Sequence, residues 1–206
     1  MIIKKLEVGP IMANCFIVGC ETTKEAAVID PGDDADRILM ELAKSDLKVK
    51  YLINTHGHFD HVGANKRMKE VTGATLAIHP EDEPMLEQLS QSAMMFGLAA
   101  ENSPAADISL NDGDTLSFGE ITLKVIHTPG HSRGGVCLHT TGHLFAGDTL
   151  FAGSIGRTDL AGGDYDTLIA SIKNSLLSLD DDTIVYTGHG PETTIGNEKR
   201  MNPFLR

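Results

Sequence analysis

The stretch THGHFDHVGA, Thr55 to Ala64, sets three of the chain's nine histidines and one aspartate between His56 and His61. Imidazoles and carboxylates at that density hold a metal ion or a proton; a merely polar loop is the bland alternative. Spacing adds to composition. Residues i and i+2 share a side only on extended backbone, so His56 and His58 can aim at one point from a strand or loop but not from a helix. Asp60 and His61 are adjacent, and a turn just after the strand would direct both toward a second point beside the first. The pattern suggests two metal positions.

Further ligand types stand where apolar runs end. HTPGHSRGG supplies His131 in a glycine-rich loop, FAGDTLF supplies Asp148, and YTGHGP supplies His189. Together these make five histidines and two aspartates, about what two four- or five-coordinate sites with a shared carboxylate require. The remaining histidines have plainer readings. His127 is expected to pack beside the metal loop, His79 to face solvent, and His139 and His143 to flank a hairpin turn in contact with water. Cys137 is expected to be a buried thiol.

The elements that must position these groups follow from periodicity. IIKKLEV, NCFIVG and EAAVID read as strands, and Asp33 to Lys44 as a helix with Ile38, Leu39 and Leu42 on one face. VKYLIN is a buried strand delivering Thr55 and His56. Helices are expected over about 61–71 and 80–89, with a strand at ATLAI between them. Residues 91 to 107 show no clean period; a surface loop packing Met94, Met95 and Phe96 is the first expectation, a wall over a pocket the second. Strands resume at DTLSFG, EITLKVIHT, GVCLHT and HLFAGD, followed by a helix from about Asp164 to Leu179 whose Leu168, Ile172, Leu176 and Leu179 keep helical spacing. TIVYTGHG runs into His189 much as KYLINTHGH runs into His56, and AAVIDPG echoes HLFAGDT. This reads as a weak internal duplication, two halves facing each other with sites between them.

Composition limits the rest. At 206 residues, 41% hydrophobic and 22% charged, the chain has material for one large core. A net charge of −12 removes the basic footprint of a nucleic-acid binder. Three cysteines, Cys15, Cys20 and Cys137, give neither a disulfide framework nor a zinc ribbon, and a reducing cytoplasm is the expected location. Glu7, Pro10 and Asn14 interrupt the apolar run near the N-terminus, so no secretory leader is expected there. No apolar run is long enough for a transmembrane helix, and no membrane partner is expected.

The His-x-His-x-Asp-His run at 56–61, the TPGHS histidine, the AGDTLF aspartate and the TGHG histidine resemble the metallo-β-lactamase-fold hydrolases. Within them the chain is similar to the hydroxyacylglutathione hydrolases, or glyoxalase II, and their short bacterial relatives; NCFIVG, GRTDLAGGD and NPFLR extend the resemblance over nearly the whole chain. The resemblance implies an α+β fold, a four-layer αββα sandwich, as a single domain over 1–206 without the C-terminal helical glutathione-binding extension of the longer enzymes. It places His56, His58 and His131 on a first divalent metal and Asp60, His61 and His189 on a second, with Asp148 bridging. Zinc is the expected metal, and iron or manganese would suit the same ligands.

Such a pair of ions supplies hydroxide near neutral pH without a protein nucleophile. Asp60 and Asp148 are then the carboxylates expected at the chemistry, acting on a small-molecule thioester such as S-lactoylglutathione. Where the longer enzymes carry Lys and Tyr after the metal aspartate, this chain has Arg157 and Asp159; Arg157 could grip a substrate carboxylate or form a structural ion pair. Two rivals stand beside this reading: a mononuclear iron persulfide dioxygenase of the same fold, and a non-catalytic metal-binding module. A β-lactamase is expected to carry cysteine where Asp148 stands.

Overall fold

A computed structural model describes residues 1–206. The first half runs β1 (Ile2–Val8), β2 (Ala13–Gly19), β3 (Glu25–Ile29), α1 (Ala35–Lys44), β4 (Lys48–Ile53), α2 (Phe59–Val62), α3 (Asn65–Thr72), β5 (Thr75–Ile78), α4 (Glu83–Leu86), α5 (Leu89–Met95) and β6 (Ile108–Ser109). The second runs β7 (Thr115–Phe118), β8 (Ile121–His127), β9 (Val136–Thr140), β10 (His143–Gly147), β11 (Leu150–Phe151), β12 (Ser154–Ile155), α6 (Tyr165–Ser171), β13 (Ile184–Thr187), β14 (Thr193–Thr194) and α7 (Ile195–Met201). One sheet has the order β1-β2-β3-β4-β5-β6 and the other β14-β13-β10-β9-β8-β7.

Alternation along the strands explains why they stack in layers. In β2, Cys15 and Ile17 face a core shared with Ile38 and Leu42 of α1 and Met68 of α3. Phe16 and Val18 face a second core, shared with Phe118, Val125 and Phe145 of the opposite sheet. In β10, Phe145 joins that inter-sheet core, while Leu144 and Ala146 turn outward to Leu168 of α6 and Ile195 of α7. Three cores therefore fill three interfaces of a four-layer αββα sandwich, the architecture expected from the sequence. Strands buried on both faces must be largely apolar, as CFIVG is.

The duplication also survives. β1, β2 and β3 pair antiparallel and β4 joins parallel to β3; β8, β9 and β10 repeat that sequence with β13 parallel to β10. Asp30 thus follows β3 as Asp148 follows β10, and His56 and His189 follow the two parallel neighbours. The sheets are tied to each other where these strands end, since the Val136 amide donates to the Thr55 carbonyl (2.8 Å) and the Asn14 amide to the Gly188 carbonyl (2.7 Å).

Three helical expectations need correction. The helix expected over 61–71 is two pieces, α2 and α3, broken near Gly63 because the chain there packs on Pro31–Gly32, whose Pro31 carbonyl accepts the Ala64 amide at 2.9 Å. A Cβ on Gly32 would fall 1.6 Å from the Asp60 carbonyl oxygen, so no other residue fits beneath the ligand turn. The helix expected over 80–89 shrinks to α4, with Asp82 at its N-terminus turning its carboxylate to the Gly57 and Gly134 amides. A second helix, α5, runs into the start of the aperiodic segment and is anchored only by Leu89 and Ala93. The third, over 164–179, is capped by Asp164, which accepts the Thr167 amide, and passes into a π-helical turn at Ile172–Leu176. No helix is long and apolar enough to cross a membrane.

Candidate dinuclear metal centre

All seven ligand-type residues meet at the edge where β4, β10 and β13 end. The ligand atoms of His56, His58 and His131 lie within 4.8 Å of one another, as do those of Asp60, His61 and His189. Asp148 spans both groups: Oδ1 lies 3.4 Å from His61 Nε2, and Oδ2 lies 3.5 Å from His131 Nε2 and 3.7 Å from His189 Nε2. Asp60 Oδ2 is 3.3 Å from His189 Nε2 and 3.6 Å from His61 Nε2.

Hydrogen bonds at the far side of each ring decide which nitrogen faces the centre. His131 Nδ1 donates to the Arg157 carbonyl at 2.8 Å, and His61 Nδ1 donates to Asp30 Oδ2 at 3.1 Å. Thr55 gives its hydroxyl proton to Asp30 Oδ2 (2.6 Å), leaving its oxygen to accept from His56 Nδ1 (3.1 Å). Each of these rings therefore turns Nε2 inward, the nitrogen a metal ion would take once any proton on it is displaced. His131 Nε2 stands 2.9 Å from His58 Nδ1, and His61 Nε2 stands 3.2 Å from His189 Nε2. His56 Nε2 and Asp148 Oδ1 are buried with no partner from the protein. Converging lone pairs and an orphaned buried carboxylate oxygen are the donor set a divalent cation satisfies, so the residues fit two ions.

Charge tells the same story. Burial and the neighbouring His131 push His58 down to about 4, and burial with the surrounding imidazoles holds His56 well below the usual histidine range. Burial opposes charge on His61 too, yet the Asp148, Asp60 and Asp30 carboxylates outweigh it and raise that ring to about 10. Burial works against an ionised Asp60, but His61 and His189 keep it below the usual carboxylate range. Protons and bare nitrogens share one cluster here, and metal ions would replace the protons.

Two residues that sequence reasoning missed hold the ligands in place. Asp30 is buried and accepts from the Thr55 amide (2.7 Å), the Thr55 hydroxyl and His61 Nδ1. With its oxygens so occupied it orients ligands instead of binding an ion, although it lies within reach of His56 and His61. Asp82, also buried, accepts from the Gly57 amide at 2.9 Å and the Gly134 amide at 2.6 Å, tying the His56–His58 loop to the loop of His131. The echo of AAVIDPG in HLFAGDT pointed to Asp30; nothing in the acidic stretch around Asp82 distinguished it. Gly188 leaves room for Asp148, since a Cβ there would stand 2.0 Å from Oδ1.

Arg157 lies at the rim of the cavity over the cluster, and its guanidinium makes a bidentate pair with Asp159 at 2.7 and 2.8 Å. His79 departs from expectation: it is buried and stacks on His127 at 4.2 Å between ring centroids, with 8° between planes. His127 packs as expected, and Cys137 is a buried thiol whose pKa burial pushes up to about 11. Met95 and Phe96 line the cavity, so the second reading of the 91–107 segment holds for its first part.

The family profile of the metallo-beta-lactamase superfamily matches residues 8–189. The chain belongs to this superfamily. It is 42% identical over 207 residues to the hydroxyacylglutathione hydrolase GloC of Haemophilus influenzae, covering 97% of each chain. Among solved structures, the BLEG-1 B3 metallo-beta-lactamase superposes with a TM-score of 0.93 at 39% identity, over 99% of both chains. TTHA1623 in a di-iron-bound form gives a TM-score of 0.90 at 40% identity, over 98% of this chain and 100% of that one. The chain is a metal-binding hydrolase of this superfamily, and the His and Asp cluster supplies groups that could hold its metal.

Proposed function

We propose that the protein hydrolyses acyl-thioesters at a dinuclear centre, with S-lactoylglutathione among its substrates. His56, His58 and His131 would hold one divalent ion and Asp60, His61 and His189 the other, with Asp148 shared. The carrying observation is that the two oxygens of Asp148 face ligand atoms of both groups. Bound there, the ions would supply a hydroxide near neutral pH and polarise the carbonyl oxygen.

The protein groups do the rest. Asp60, kept ionised by His61 and His189 and partly open to the cavity, would offer the second ion a charged ligand at the cavity floor. Cys137, buried and with a raised pKa, is unsuited to act as a nucleophile. A thiolate leaves readily at neutral pH, which suits a cavity whose one further charged group, Arg157, is engaged with Asp159. Similarity to the hydroxyacylglutathione hydrolase GloC supports the thioester class, and a soluble small-molecule partner in the cytoplasm follows from that reading. A mononuclear iron dioxygenase of the same fold is the second reading, and metal count separates the two.

Metal analysis of the purified protein, paired with assays on S-lactoylglutathione, a chromogenic β-lactam and glutathione persulfide under oxygen, tests the proposal. Near two metals per chain and thioester hydrolysis are expected. One iron per chain with oxygen uptake would replace the proposal with the dioxygenase, and β-lactam turnover without thioester turnover would move it to the lactamase class.

A further inference from the structure

The cavity above the cluster, about 620 Å³, is walled by hydrocarbon. Phe59 of α2 and Met95 and Phe96 at the end of α5 form part of it, and Phe151, Ile155 and Leu160 in and beyond the β11–β12 hairpin form another. The Phe59 and Phe96 rings lie 5.3 Å apart. Met95 is nevertheless 83% exposed and Phe96 50% exposed, on a short helix whose opposite side is anchored by Leu89 and Ala93. The hairpin is stiffer, because the buried carboxylate of Glu198 accepts the Gly153 amide at 2.9 Å and Asn202 bonds the Ser154 carbonyl at 2.9 Å. One wall is exposed and lightly anchored, and the other is tied down by buried hydrogen bonds.

Charge in the cavity is sparse. Apart from the seven ligand-type residues, Arg157 is the one charged side chain lining it, and Asp159 already takes two of its donors. A tail with two carboxylates and an ammonium group finds little to pair with there. A hydrocarbon arm finds several rings and thioethers to cover, and covering them removes apolar surface from water.

We propose that the preferred substrate is an acyl-thioester with an apolar arm seated between Phe59, Met95 and Phe96 and the β11–β12 hairpin; this rests on the thioesterase reading above. In the reaction the water oxygen bonds to the acyl carbon, the carbon–sulfur bond breaks with its electron pair on sulfur, and a carboxylate, a thiol and a proton result.

The test measures kcat/KM on acetyl, butanoyl, hexanoyl and octanoyl thioesters of one thiol, then on one acyl group carried by glutathione and by an uncharged thiol. Binding of S-methyl- and S-hexylglutathione, which cannot be hydrolysed, is followed by calorimetry. kcat/KM and affinity should rise about two- to fourfold per added methylene, the range that partial to full burial of a methylene gives. Met95→Ser and Phe96→Ser, both at exposed positions, should flatten that slope. A wild type that hydrolyses thioesters with no dependence on chain length, and binds both thioethers equally, overturns the apolar arm and leaves the thioesterase reading standing. If no thioester is hydrolysed by the metal-loaded protein, that reading fails, whatever the thioethers do. A dimer that Phe96→Ser dissociates, together with a flat slope, would assign the wall to a second copy of the chain instead.

Discussion

Asp30 Oδ2 lies 3.1 Å from His61 Nδ1, and the same carboxylate takes the amide and hydroxyl protons of Thr55, the residue before His56. One buried aspartate thus sets the ring orientation in one ligand group and the backbone entry to the other. Asp30→Asn keeps the shape but places an amide hydrogen against one of these donors. Metal affinity should fall about 10- to 100-fold, as when a ligand-orienting carboxylate is lost. Metal titration of the folded variant checks this, and undiminished affinity for two ions would remove Asp30 from the account.

Asp148→Ala takes away the carboxylate that both groups share. At least one metal equivalent should be lost, and kcat should drop by at least about 100-fold, or ~2.7 kcal/mol of barrier. Elemental analysis and initial rates give both readouts. Two retained metals with full activity would end the bridging assignment.

His79→Ala separates structural from ligating histidines. The ring stacks on His127, and its Nδ1 accepts the Glu81 amide at 3.2 Å. Its removal should cost about 1–3 kcal/mol of stability through lost packing and an unpaired donor, with metal content unchanged. Denaturant unfolding and metal analysis together decide; loss of a full equivalent would mean that the ligand set is misassigned.

The metal-stripped protein should be most stable near neutral pH. His58 is depressed from 6.5 to about 4, so the unfolded chain binds that proton more readily, and stability falls as pH drops from about 6.5 toward about 4. His61 is raised from 6.5 to about 10, so its contribution is complete below about 6.5 and is lost as pH rises through about 10. Ions on the bare nitrogens should flatten the alkaline side, because the rings then need no proton. Urea midpoints between pH 4 and 10, with and without metal, would expose a different arrangement if the stripped protein gained stability steadily above pH 7.

The residues of the cluster were legible because they are ionisable residues at or shortly after the end of an apolar run, where a strand must stop and the chain turns over the sheet edge. Asp30 shared that signature, and only the density of histidines elsewhere drew attention from it. Asp82 lacked it: its role depends on amides of Gly57 and Gly134 brought together by tertiary structure. The helix at Leu89–Met95 buries just Leu89 and Ala93, too few positions to produce a period in the sequence. His79 misled for a related reason, since the stack that buries it is made by His127 from the other sheet.

Each ligand group draws on both halves of the chain. His58 meets His131 across 73 residues of sequence, and His61 meets His189 across 128. Ions seated in these groups would therefore act as two reversible crosslinks closing long loops, in addition to the backbone bonds that join Val136 to Thr55 and Asn14 to Gly188. Closing such loops removes conformational freedom from the unfolded chain, an effect that grows slowly with loop length. Loading the centre with metal is thus also a fastening of the two halves, and a chain cut between them would have its fragments held together at the site where the reaction takes place.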